Sequence, residues 1–344
     1  MERSRLLQCL AADYMRLRDV AGTGLTATVP SCPGWTVADV VRHVGQVYLH
    51  KAEVMHAGTW PDPWPPAEIE TEEPLALLDR GYGALTHEFS RRGDTDPCQT
   101  WHGPDQTVKF WIRRMAQESV IHRLDAELAH HAEPAPIPAD LALDGIDEIL
   151  QLFVAYAAKT WPDDFIAALS GTAGHSIRIE ATAPVSPAAP PSAPVTDYGT
   201  AATASAATAG PPPAAPLAGS SAGSEIGSSA DPDSPSSGSG SSSPAAGSSS
   251  SDAAPASADT SPTAPVIAAW LMRTSPDGVV VTALTPPAAS TAADAVVTGS
   301  PDHLLRWLWA RESTPTTDVR SPIQVKGDEE AIKELRTLLT VGTQ

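Results

Sequence analysis

The chain is short of the features that would make a simple assignment. Cysteine is sparse and odd in number, with Cys9, Cys32 and Cys98 among 344 residues. Such a set suggests no disulfide framework, so the fold has to rest on a buried apolar core. Basic charge is also short, 22 Lys and Arg against 41 Asp and Glu, for a formal net charge of −19. No basic cluster stands against that background, which argues against nucleic acid and anionic membrane as partners. No apolar run reaches the roughly 18 residues of a membrane-spanning helix. The opening Met1-Glu2-Arg3-Ser4-Arg5 leads into charged, amphipathic sequence rather than a signal core. A cytoplasmic protein is the expectation.

The widest deficit lies in residues 181–265. They contain no Lys, Arg or His, and their acids are Asp197, Glu225, Asp231, Asp233, Asp252 and Asp259. Ala, Ser, Pro, Gly and Thr supply almost all the rest. Such a stretch offers too little large apolar surface to offset the entropy of ordering it, so residues 184–265 are expected to form a disordered insertion.

What remains splits by period. Leu6, Leu7, Leu10, Tyr14 and Leu17 make a helical stripe from Leu6 to Val20. A second helix is predicted over Val37 to Ala57, opened by Thr36 with Asp39 three positions on, a capping-box spacing. Further helices are predicted over Pro74 to Ser90, Gln106 to His131 and Asp140 to Thr160. The last has Leu141, Ile146, Ile149, Leu150, Phe153 and Val154 as its buried stripe. Beyond them the pattern alternates over Ser176 to Glu180, Ala268 to Met272, Val279 to Leu284, Ala293 to Val297 and Ile323 to Lys326, as strands do. Ser300-Pro301 opens a helix between the last two strands, and Asp328 caps a final one. The fold class is α+β, with a four- or five-helix bundle over 1–165 and a small α+β domain over 166–183 and 266–344. The insertion splits the second domain in sequence.

The candidate chemistry sits on two of those helices. Glu118 and His122 are four residues apart and share a face. His43 lies on the second helix, among Val40, Val44 and Val47. Two imidazoles and a carboxylate on facing helices suit a zinc site with one position left open; nickel, cobalt and iron accept the same donors. The plainer reading keeps His43 at a bundle edge and Glu118–His122 as a surface pair. Asp125, three residues beyond His122, is placed to steady an imidazole. His50, His102, Cys98 and Cys32 read more simply as edge, loop and small buried residues, and His130-His131 as helix-end residues. Trp307 reads as core.

Ser31-Cys32-Pro33-Gly34-Trp35-Thr36-Val37, continuing to Val41-Arg42-His43-Val44-Gly45, resembles the helix entry of the mycothiol-dependent maleylpyruvate isomerase family, whose N-terminal domain is of the DinB-like kind. Glu118-x-x-x-His122-Arg123-Leu124-Asp125-Ala126-Glu127 is similar to its second signature, and the run from Ala295 to Arg311 to its C-terminal domain. The resemblance implies that His43, Glu118 and His122 hold a divalent metal, that mycothiol is the thiol cosubstrate, and that a small organic acid is the substrate. In the family's reaction a thiolate adds to a cis double bond, the chain rotates about the resulting single bond, and the thiol then leaves. It also places Arg311 as a cofactor-binding residue, suited to a carboxylate. No catalytic acid or base is assigned. A non-catalytic, metal-binding or regulatory member of the same fold is the rival expectation.

Overall fold

The computed structural model describes residues 1–131, 133–183, 264–285, 291–312 and 321–343. The stretch expected to be disordered lies outside the described residues, apart from Ala264 and Pro265.

Helices α1 (Arg3–Ala21), α2 (Val37–Ala57), α4 (Pro74–Arg91) and α5 (Val108–Ala129) carry the bundle, with a single turn, α3 (Ala67–Glu70), between α2 and α4. The capping box that opens α2 is made: the Thr36 side chain accepts from the Asp39 amide, and Asp39 accepts from the Thr36 amide at 2.8 Å. Left-handed Gly58 (φ 72°) closes the same helix. α2 and α4 approach backbone to backbone through Gly45 and Gly81, where a Cβ on Gly81 would stand 2.5 Å from the Gly45 carbonyl oxygen. α5 is the central helix and is covered almost all round. Even its polar residues Arg114, Gln117, Ser119, Arg123, Asp125 and Glu127 are buried.

The fifth predicted helix is interrupted. It runs as α6 (Ala139–Glu148), a π-helical stretch over Ile149–Tyr156, and α7 (Ala157–Thr160). The wider π turn, bonded i to i+5, moves the stripe. Leu152 is buried, whereas Phe153, expected in the core, is half-exposed on a cavity wall. A further helix, α8 (Pro162–Leu169), begins at a proline in its first turn, where the missing amide is no loss.

The rest is a five-stranded sheet in the order β3-β2-β1-β4-β5, built from β1 (Ser176–Thr182), β2 (Val266–Ser275), β3 (Gly278–Leu284), β4 (Ala295–Gly299) and β5 (Ile323–Gly327). β1 pairs antiparallel with β2 and parallel with β4; the outer pairings are antiparallel. Ile177 and Ile179 point to the buried face, while Arg178 and Glu180 pair with each other on the other. Helices α9 (Pro301–Leu308) and α10 (Glu329–Gly342) pack on the sheet, and α9 also packs on α6. Apolar residues from bundle and sheet form one continuous core, Leu6 to Leu339. The Ser300 side chain accepts from the His303 amide, with Pro301 in the first turn, so the predicted start of α9 stands. Trp307 is fully buried.

α9 ends in a way that matters for the site. Ala310 takes a left-handed conformation (φ 59°), its amide bonds the Trp307 carbonyl, and the Arg311 amide bonds the Arg306 carbonyl. This is the Schellman arrangement with alanine where glycine is usual. It turns the chain sharply back and sends the Arg311 side chain toward α5.

Candidate metal centre

His43 reaches the facing helix from the second turn of α2, and Glu118 and His122 stand one turn apart on α5. His43 Nε2 and His122 Nε2 each lie 3.2 Å from the same oxygen, Glu118 Oε1. The donor atoms of the three residues lie within 4.8 Å of one another, and the two imidazole rings meet edge to face with centroids 4.9 Å apart. Protonated, the two Nε2 atoms donate to Glu118; deprotonated, they turn lone pairs toward one point. The cluster opens on a cavity of about 570 Å³.

Both ends of the pair on α5 are held from behind. His122 Nδ1 is 2.9 Å from Asp125 Oδ2, which fixes the ring so that Nε2 faces Glu118. The second oxygen of Glu118 accepts from buried Arg114, which also donates to Glu148. Asp125 is fully buried and is the hub of this layer. Arg311 donates to it through Nε and one terminal nitrogen, both at 2.9 Å, and the Ser31 hydroxyl donates to it as well.

Residues 7–127 match the family model described as the mycothiol maleylpyruvate isomerase N-terminal domain. This part of the chain is a domain of that family. His43, Glu118, His122 and Asp125 all fall inside it. Comparison with curated proteins and with solved structures gives no match. Among the described residues, no helix is long and apolar enough to cross a membrane.

The electrostatics of the isomerase-family domain favour a cation at the cluster. Burial alone would lower the pKa of His122, but Glu118 and Asp125 raise it to about 9. Burial would raise Glu118, yet His122 and Arg114 hold it well below the ordinary carboxylate range. Asp125 is held down in the same way, by His122 and Arg311 against its burial. Glu118 is thus anionic and His122 retains a proton that an incoming metal ion would replace. The donor set, with one imidazole steadied at its far nitrogen and the carboxylate at its far oxygen, fits a divalent metal.

The remaining sequence candidates scatter. Arg311 lines the cavity, but its fork is engaged by Asp125 and its other terminal nitrogen donates to the Trp309 carbonyl at 2.7 Å. Cys32, expected as a small buried side chain, lies half-buried on the cavity wall, 3.5 Å from Arg311, with its thiol pushed up by burial and by Asp125. His50 is outside the cluster; burial and neighbouring Lys51 lower it to about 4. His102 packs against Tyr156 and borders a different cavity, and Cys98 is buried beneath the loop. Arg114, Glu148 and Lys51 went unremarked in the sequence. The signals were present, since Arg114 is four residues before Glu118 and Lys51 eight after His43.

Proposed function

We propose that the chain is a metal-dependent enzyme that uses mycothiol as thiol cosubstrate and acts on a small organic acid, by thiolate addition to an activated double bond or by thiol transfer. The carrying observation is the convergence of His43 Nε2, Glu118 Oε1 and His122 Nε2 on one wall of the cavity, within a mycothiol maleylpyruvate isomerase N-terminal domain. Three protein ligands leave a coordination position open. A bound divalent ion would supply Lewis acidity that lowers the pKa of a thiol and stabilises developing oxyanion charge. Zinc is the first choice for these donors.

The chain's own residues do the rest. Asp125 keeps the His122 ring in one tautomer and one orientation. Arg114 prevents the Glu118 carboxylate from rotating away. Arg311 neutralises Asp125 and ties the segment after α9 to the ligand helix. The walls formed by Trp35, Trp101, Trp111 and Phe153 limit water around the reacting groups.

Purified protein should contain about one divalent metal ion per chain, and a His122→Ala variant should lose most of it, because two ligands hold zinc poorly. With cobalt(II) substituted, mycothiol should add a sulfur-to-metal charge-transfer band in the parent protein, and Glu118→Gln should respond weakly. Metal content unchanged in His122→Ala would refute the ligand assignment. A metal-loaded protein that shows no change with saturating mycothiol would leave the non-catalytic, metal-binding reading in its place.

A further inference from the structure

α2 carries His43, Val47 and Lys51 at four-residue spacing, so all three face the same cavity. From His43 to Lys51 the helix advances roughly 12 Å. The cavity therefore has two poles on one wall: the imidazole–carboxylate cluster, and an amine two turns along.

The surroundings of that amine are unusual for a lysine. Its Nζ lies 4.7 Å from the centroid of the Trp111 ring and 5.6 Å from that of Trp60, and it donates to His50 Nδ1 at 3.0 Å. Among the described residues no carboxylate lies within ion-pair distance of it. The two arginines of the cavity are committed, Arg114 to Glu118 and Glu148, and Arg311 to Asp125. Aromatic faces and one neutral imidazole compensate only part of the solvation a lysine loses on burial. Burial lowers the amine to about 8, which leaves it largely charged at neutral pH. A half-buried cation with no carboxylate in ion-pair reach among the described residues, at the far end of a cavity whose near end fits a metal, is placed to receive an anion.

We propose that Lys51 anchors a carboxylate of the organic-acid substrate, fixing an elongated anion whose other end reaches the His43–Glu118–His122 cluster. The proposal rests on the functional reading above and adds to it the residue that receives the acid's free carboxylate. The face of Trp111, which lines the cavity, supplies an apolar wall beside the anchored group, and the charge selects acids over their neutral esters. Lys51 acts here by binding and selecting substrate.

The test uses metal-loaded full-length protein, with maleate as probe and intrinsic tryptophan fluorescence as readout, because two indoles flank the amine. Maleate should quench saturably in the parent, and dimethyl maleate should bind far more weakly. Lys51→Met, which keeps the packing volume, should weaken maleate roughly tenfold or more, the worth of one charge-assisted hydrogen bond. Metal content should stay at the parent level, and Lys51→Arg should recover much of the affinity. Equal maleate affinity in parent and Lys51→Met, or equal affinity of the parent for maleate and its ester, overturns the anchor. If Lys51→Met loses metal or folding cooperativity, Lys51→Arg decides: affinity kept with metal intact supports the anchor, and affinity lost refutes it. A parent protein that holds no metal defeats the functional reading instead; maleate titration of that same protein still reports on Lys51, since the anchoring is by charge.

Discussion

Replacing Asp125 with asparagine is the most demanding perturbation of this site, because one buried carboxylate serves the proposed ligand His122 and the segment after α9 at once. Oδ2 faces His122 Nδ1 at 2.9 Å and an Arg311 terminal nitrogen at 2.9 Å, while Oδ1 faces Arg311 Nε at 2.9 Å and the Ser31 hydroxyl. An amide must put its NH2 in one of those places. In the Oδ2 place it meets two donors, and His122 can relieve the conflict only by accepting at Nδ1, which moves its proton to Nε2 and spoils it as a ligand. In the Oδ1 place it faces Arg311 Nε. Either way Arg311, whose side chain is 12% exposed, loses its countercharge. Breaking a buried ion pair from one side costs about 3–5 kcal/mol. The low end, about 3 kcal/mol, is appropriate for a side chain at a cavity wall, and corresponds to a midpoint lowered by roughly 6–12 °C in a protein of this size class. Loss of the carboxylate behind a ligating histidine typically weakens metal affinity by about 10–100-fold. The two effects are read separately: thermal unfolding in the presence of a chelator gives the first, and competition against a chromogenic chelator gives the second. A metal affinity within about twofold of the parent, together with an unchanged midpoint, would refute the role assigned to Asp125.

Other consequences are equally accessible. Gly81→Ala places a Cβ 2.5 Å from the Gly45 carbonyl oxygen, two residues from His43. Urea unfolding should show a loss of about 1–3 kcal/mol, the usual range for overpacking, and a neutral result would mean α2 and α4 are not so close. Maleate binding should weaken as the pH rises through about 8, because Lys51 is charged below that value and neutral above it. Burial is the main cause of the low value, Glu118 partly opposes it and Arg114 adds to it, so a flat profile from pH 7 to 10 would exclude Lys51 as the anchor. Replacing residues 186–262 by a short Gly/Ser linker should leave the thermal midpoint unchanged. The flanking chains already meet there, with the Ala183 amide 2.9 Å from the Pro265 carbonyl. A markedly lower midpoint would assign that segment a structural part.

Much of the arrangement was legible because it depends on local spacing. Thr36 and Asp39 announce the start of α2, and Glu118 and His122 announce a shared face, since capping and the i, i+4 relation need only a few residues of context. The Ser300-Pro301 start of α9 belongs to the same class. The unread parts depend on distant partners. α5 is buried on almost every side, so Arg114 and Glu127 sit in the interior without any apolar stripe to mark which face is which. The π-helical stretch over Ile149–Tyr156 leaves no mark in a pattern of Ile, Leu, Phe and Val that suits an α-helix equally well. The fork of Arg311 was read as free for a carboxylate. Its engagement by Asp125 follows from a left-handed turn at Ala310, where no glycine advertises a helix end.

β1 lies in the middle of the sheet, yet both of its neighbours, β2 and β4, come from the far side of residues 183–265. During synthesis this strand leaves the ribosome with two unpaired edges, and at roughly 5–20 residues per second it waits on the order of ten seconds for its first partner. α1 to α8 are already out by then, so the helices that carry His43, Glu118 and His122 have time to collapse before Arg311 is made. The sheet has no such head start. Severed between β1 and β2, the molecule would yield a fragment with both sheet edges bare and another lacking its central strand. Reassembly of the two in trans would report directly on whether the centre at Asp125 closes last.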